Sequence, residues 1–145
     1  MKFNKLSPNL SVKNVAESVR FYEEILGFKL EIAVPDGTTR IENEILDNVE
    51  YAYAMVSKDE IYLMFLNEMN FKCDVPALNQ VPQGASVLFY IDVENIKEIY
   101  TQIKDKVDVV KALETTWYGM QEFYIRDCNN YILGFGEKVP NEKCI

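Results

Sequence analysis

The sequence predicts an α+β chain built of two βαβββ modules in tandem, and three observations carry that prediction. First, a helical face repeats. Ser18, Phe21, Tyr22 and Ile25 stand at the spacing i, i+3, i+4, i+7, and Ile96, Ile99, Tyr100 and Ile103 repeat it 78 residues on. Second, each of these helices is preceded by one strand-like segment and followed by three. Third, the closing stretch 117–137, WYGMQEFYIRDCNNYILGFGE, reads as two strands joined by a tight turn. Asp127, Asn129 and Asn130 supply the turn chemistry, because Asp and Asn bond local backbone and Asn tolerates a positive φ.

The elements follow in order. Residues 6–12 alternate as a strand, with Leu10 and Val12 opposite Ser7, Asn9 and Ser11. Asn14, followed three residues later by Glu17, has the pattern of a capping box and opens a helix that Gly27 ends as its C′ residue. Residues 28–34 form a second strand, and Pro35-Asp36-Gly37 a turn. The charged, irregular segment 38–48 is a loop or a frayed strand. Residues 50–57 and 60–66 pair as a hairpin across Lys58-Asp59.

Residues 67–84 carry Pro76, Pro82 and several Asn and Gln, and read as a linker. Residues 85–92 are a strand, after which Asp92 is placed to cap the second helix. Residues 107–113, 119–126 and 131–136 complete the second module. The resulting layout is one domain over 1–145: a module at about 5–67, a linker at 68–83, a module at about 84–137 and a tail at 138–145.

Composition narrows the chemistry. The 145 residues, 48% hydrophobic, suffice for one domain or two small halves that share a sheet. No window is apolar for long enough to span a membrane, and MKFNKLSPNLSV lacks the apolar core of a signal peptide, so a cytoplasmic protein is expected. Cys73, Cys128 and Cys144 are odd in number, widely spaced and without a CxxC pair, which favours reduced thiols over a disulfide framework or a zinc site. A net charge of −8 argues against nucleic acid as a partner; it suits a cationic one, or simply solubility. The chain has no histidine, which removes Ser-His-Asp and Cys-His catalysis, imidazole base chemistry and histidine-ligated metals.

The opening PNLSVKNVAESVRFYEEILGF resembles the first module of the vicinal oxygen chelate superfamily, which includes glyoxalase I, bleomycin resistance proteins, fosfomycin resistance enzymes and extradiol dioxygenases. The closing stretch is similar to that family's W-G-x-x-E-F … D-P-D-G-N ending, nearest to the bleomycin resistance branch, with Cys128 where the family has Pro. The resemblance implies two modules whose sheets curl into a cup-shaped, partly open mixed β-barrel with helices on the outside. It also implies a homodimer in which two chains complete each other's cups.

In the family's enzymes the cup holds a divalent metal through the first and last strands of each module. Those positions fall here on Ser7, Met64, Ser86 and Gly134, none a suitable donor for a transition metal. A slipped register would admit Glu60 or Glu122, but two carboxylates without histidine make a poor transition-metal site. The expectation is therefore no metal, no cofactor and no catalytic residue.

Placing the branched residues of the strands under the helices leaves the opposite face rich in Tyr, Met and hydroxyls, with one carboxylate. The candidate ligand-binding residues on that face are Tyr53, Tyr62, Met64, Ser86, Tyr90, Glu122 and Tyr124. Gly134 leaves room among them, and Trp117 is a pocket wall or a core residue. Such a face suits a flat organic ligand, and Glu122 beside tyrosines suits one with positive charge. The alternative for the tyrosines is a half-exposed surface or a dimer contact. The expected function is metal-free sequestration of a small planar aromatic or cationic molecule; the alternative is a metal-dependent glyoxalase- or dioxygenase-type enzyme with displaced ligands.

Overall fold

Both modules fold as strand, helix and three strands, and each builds its own four-stranded mixed sheet. The computed structural model describes residues 1–84 and 86–140, so Cys144 and the end of the expected tail lie outside the described residues. Its contacts separate a unit of residues Met1–Gln83 from one that begins at Gly84.

In the first unit, β1 (Asn9–Val12), α1 (Val15–Leu26), β2 (Lys29–Pro35), β3 (Tyr51–Lys58) and β4 (Ile61–Asn67) give the sheet order β1-β4-β3-β2. β1 runs parallel to β4; the other pairs are antiparallel. The Asn14 side chain accepts from the Glu17 amide at 2.9 Å, which satisfies one of the orphan donors of the first turn of α1. Gly27, at φ 73°, closes the helix in the left-handed conformation that glycine adopts without strain. The buried stripe of α1 includes Val15, Val19 and Tyr22, and the Tyr22 ring meets Phe28 at 5.4 Å and Phe65 at 5.2 Å.

The stretch expected to be a linker contains α2 (Glu68–Asp74) and a 3₁₀ turn at Pro76–Leu78. Asn67 caps α2 by accepting from the Asn70 amide at 2.9 Å. Its polar composition was that of a loop, but Asn before Glu is also a helix start, and the helix buries no residue that would have betrayed it as an apolar stripe.

The second unit contains β5 (Leu88–Asp92), α3 (Ile96–Ile103), β6 (Asp108–Thr115), β7 (Met120–Arg126) and β8 (Ile132–Lys138), in the order β5-β8-β7-β6. β5 runs parallel to β8. The expected cap at Asp92 is not the one used. Asn95 precedes α3 at φ 60° with no side-chain cap of its own, and Glu137 on β8 accepts from the amides of Asn95 and Ile96 at 2.9 and 3.1 Å. A carboxylate there also meets the positive end of the helix dipole. The core under α3 is aromatic and branched: Phe123 stacks on Phe135 at 4.8 Å and meets Tyr100 at 5.0 Å, beside the buried Ile96, Ile103, Ile125 and Leu133.

Asp127 builds the last turn as expected, its carboxylate accepting from the amides of Asn129 and Tyr131 at 2.8 and 2.9 Å, with Asn130 at φ 70°. The fold is thus α+β, and neither sheet closes on itself. Among the described residues, no helix is long and apolar enough to cross a membrane.

Candidate functional site

β8 presents Phe135 to the helix side and leaves Gly134 and Gly136 on the other face. The registers place Tyr90 of β5 opposite Gly134, and Glu122 of β7 opposite Gly136. With no side chains on β8 in between, Tyr90 reaches over Gly136 and donates its hydroxyl to Glu122 Oε2 at 2.6 Å. A Cβ at Gly134 would stand 3.0 Å from two carbons of the Tyr124 ring and 3.3 Å from Leu88 Cδ1. The room that the glycines leave is therefore taken up by rings of the chain itself.

Glu122 is the hub. It is 2% exposed, and it accepts from the Tyr118 hydroxyl at 2.6 Å and from Lys111 Nζ at 3.0 Å through Oε1, besides Tyr90 through Oε2. Lys111 also pairs with Glu114 at 3.1 Å, and its ammonium lies 4.6 Å from the centroid of the Tyr124 ring. A buried carboxylate is tolerated when paired and hydrogen-bonded in this way. Burial pushes the Glu122 carboxyl up, but the bonds from Tyr118, Tyr90 and Lys111 outweigh it and hold it below the ordinary glutamate range. The bond to Glu122 holds the Lys111 ammonium above its usual value. Burial, then Glu122, pushes the Tyr90 hydroxyl up, and the Tyr118 hydroxyl is raised chiefly by its bond to Glu122.

These directions fix a pH dependence. Glu122, lowered on folding, stabilises the fold above the unfolded glutamate pKa of about 4.3, and that contribution is lost as pH falls through the lower folded value. Lys111 and Tyr90, raised on folding, contribute fully below their unfolded values of about 10, and lose that contribution as pH rises through the folded ones. Urea midpoints measured against pH should accordingly form a plateau between roughly pH 5 and 10 for this cluster. In Glu122→Gln the acid limb should flatten; an unchanged limb would place the acid sensitivity elsewhere.

Of the residues singled out from the sequence, the second unit brings Tyr90, Glu122, Tyr124 and Gly134 together. Tyr53, Tyr62 and Met64 share the helix-free face of the first sheet, where Met64 lies opposite Met55 and the Lys5 ammonium stands 3.8 Å from the Tyr62 ring centroid. Burial raises the Tyr53 hydroxyl, and Tyr53 borders an open cavity of about 580 Å³ with Asn9, Asp36, Asn70 and Asp74. Tyr51, two residues before it on the same strand, is buried, and its hydroxyl accepts from the Leu46 amide at 2.8 Å. Ser86 is exposed in the turn before β5. Trp117 is not a core residue: it is 94% exposed and stands edge-on to Tyr118 at 5.2 Å.

Sequence reasoning missed Lys111 and Tyr118. Register irregularities flank Lys111 on both sides, between Val109 and Lys111 and between Lys111 and Glu114, so simple alternation along β6 does not give its partner. Tyr118 lies in the turn before β7, where no periodicity applies. The one signal for it was its distance of four residues from Glu122.

The positions aligned with a metal do not fit one. Ser7 precedes β1, Ser86 lies in a turn, Met64 is a thioether and Gly134 has no side chain. Among the described residues, no three His, Cys, Asp or Glu side chains are grouped as metal ligands.

A family model described as the Glyoxalase/Bleomycin resistance protein/Dioxygenase superfamily matches residues 4–135. The chain is similar to the solved structure of a glyoxalase/bleomycin resistance protein/dioxygenase from Nocardioides, at 14% identity and a TM-score of 0.70, covering 99% of this chain and 89% of that one. TioX from Micromonospora sp. ML1 is similar at 13% identity and 0.67, covering 94% and 100%. The bleomycin-binding protein of Streptomyces verticillus, solved with copper(II)-bleomycin, is similar at 16% identity and 0.59, covering 97% and 99%. At these identities the likeness concerns the fold. No curated protein matches the chain.

Proposed function

The chain belongs to the glyoxalase/bleomycin resistance protein/dioxygenase superfamily, and from that premise we propose that it binds a small, planar aromatic or cationic molecule and sequesters it without a metal. The observation that carries this reading is the Glu122 cluster. A buried carboxylate fixes Tyr90 and Tyr118 by their hydroxyls, and the two residues remain 43% and 50% exposed, next to the half-buried Tyr124. Rings held at one end and open at the other are pre-organised stacking surfaces. Binding by the Streptomyces verticillus protein on a similar fold supports a small-molecule role, and the misfit of the metal positions favours binding over metal chemistry.

The test is a thermal-shift screen of planar aromatic compounds, neutral and cationic, since a ligand that binds only the folded state raises its melting temperature. The best compound is then titrated against wild type, Tyr90→Ala and Tyr124→Ala. Each ring should contribute roughly 0.5–2 kcal/mol, a loss of about two- to thirty-fold in affinity. A screen that returns only anions, or titrations identical in all three proteins, would defeat this assignment.

A further inference from the structure

In each unit a tyrosine on the helix-free face already holds a cation from the chain itself. Lys5 lies over the Tyr62 ring in the first unit, and Lys111 lies over the Tyr124 ring in the second. The second case is the more fully built. The Lys111 ammonium has a carboxylate on each side, Glu122 at 3.0 Å and Glu114 at 3.1 Å, and a ring face at 4.6 Å. That is the set of groups that would recognise a primary ammonium on any molecule.

Two features make this occupant exchangeable. Lys111 sits on the edge strand β6 between two register irregularities, on a flexible stem, with its side chain 29% exposed. The walls have bonds of their own, because Tyr90 and Tyr118 each donate to Glu122 at 2.6 Å. Charge then selects what can replace it. A neutral molecule that displaced Lys111 would strand the buried carboxylate; a cation would not.

We propose that Lys111 is the resident occupant of an alkylammonium site formed by Glu122, Glu114 and the Tyr124 ring, and that the cationic end of a ligand enters by exchanging with it. This rests on the reading of the face as a ligand site and makes Lys111 its specificity-determining residue. As a tethered competitor, Lys111 weakens the apparent affinity for any incoming ammonium, so cations that also gain contacts on the exposed rings are favoured over bare ones.

The experiment uses n-butylammonium as the probe and 1-butanol as its neutral counterpart, with wild type, Lys111→Ala and the double variant Lys111→Ala/Glu122→Gln. Removing a competitor at millimolar effective concentration should tighten n-butylammonium binding to Lys111→Ala by about ten-fold or more over wild type, read by thermal shift. The double variant should lose that response, and 1-butanol should give none. Equal affinity for wild type and Lys111→Ala, or an equal response to 1-butanol, overturns the proposal.

Should Lys111→Ala fail to fold, wild type serves alone. The ¹H–¹⁵N signal of the Lys111 ammonium should move toward those of exposed lysines as n-butylammonium is added, and a fixed signal at saturating probe overturns the proposal. If an aromatic ligand perturbs Tyr90 and Tyr124 while Lys111 stays in place, the exchange is wrong and the small-molecule reading stands.

Discussion

Alanine at position 136 is expected to detach Tyr90 from Glu122 and to destabilise the second module by about 2–4 kcal/mol. The backbone of Gly136 is not the reason, since no left-handed conformation is required there; the reason is space. A methyl group would overlap the Tyr90 hydroxyl and Cζ and stand 2.8 Å from Cε1, and these are the rigid far end of a ring rather than a chain that can fold aside. Tyr90 must swing outward, which its partial exposure permits, and a charge-assisted hydrogen bond of about 1.5–3 kcal/mol is then lost. Urea denaturation should show the full loss in the wild-type background and almost none in Tyr90→Ala, where the ring atoms the methyl overlaps are gone. Equal losses in both backgrounds would mean that Gly136 serves the strand and not the tyrosine.

Replacing Glu122 with alanine should cost about 2–3 kcal/mol and abolish binding at this face. Breaking a fully buried ion pair costs about 3–5 kcal/mol because the remaining charge is stranded. Here the remaining groups have somewhere to go: Lys111 keeps Glu114, and the Tyr90 and Tyr118 hydroxyls can turn to water. The loss falls below that range for this reason. Glu122→Gln keeps the shape and one acceptor oxygen and should cost about half as much. The comparison is made by urea midpoint at neutral pH, beside a titration of the compound from the screen. A stable Glu122→Ala protein with unaltered affinity would show that the cluster neither holds the face nor recognises anything.

The fold was legible because its signals are local and repeated. The stripe of Phe21, Tyr22 and Ile25, its copy at Ile99, Tyr100 and Ile103, and the Asp127 turn each declare themselves within a few residues. Alternation along β7 puts Glu122 and Tyr124 on the face away from the helix, and the structure has Phe123 and Ile125 buried on the helix side. What alternation could not give is distance across strands. Tyr90 and Glu122 are 32 residues apart and meet only because two glycines lie between them on a third strand. Lys111 was hidden by irregular pairing, and the Glu137 cap by its origin on a strand far along the chain from the helix it serves. The groups that favour a cation are present, and in this structure the cation beside them is the chain's own Lys111.

The order of strands also bears on how the molecule is made. In each sheet the strand furthest toward the C-terminus, β4 or β8, lies inside, and the first, β1 or β5, bonds to that strand alone. A nascent chain that has reached residue 131 carries β5 with no strand to pair with. The backbone donors and acceptors of β5 stay open to water, or to a neighbouring chain, until the ribosome delivers the residues of β8. In both modules the first strand synthesised waits for the last.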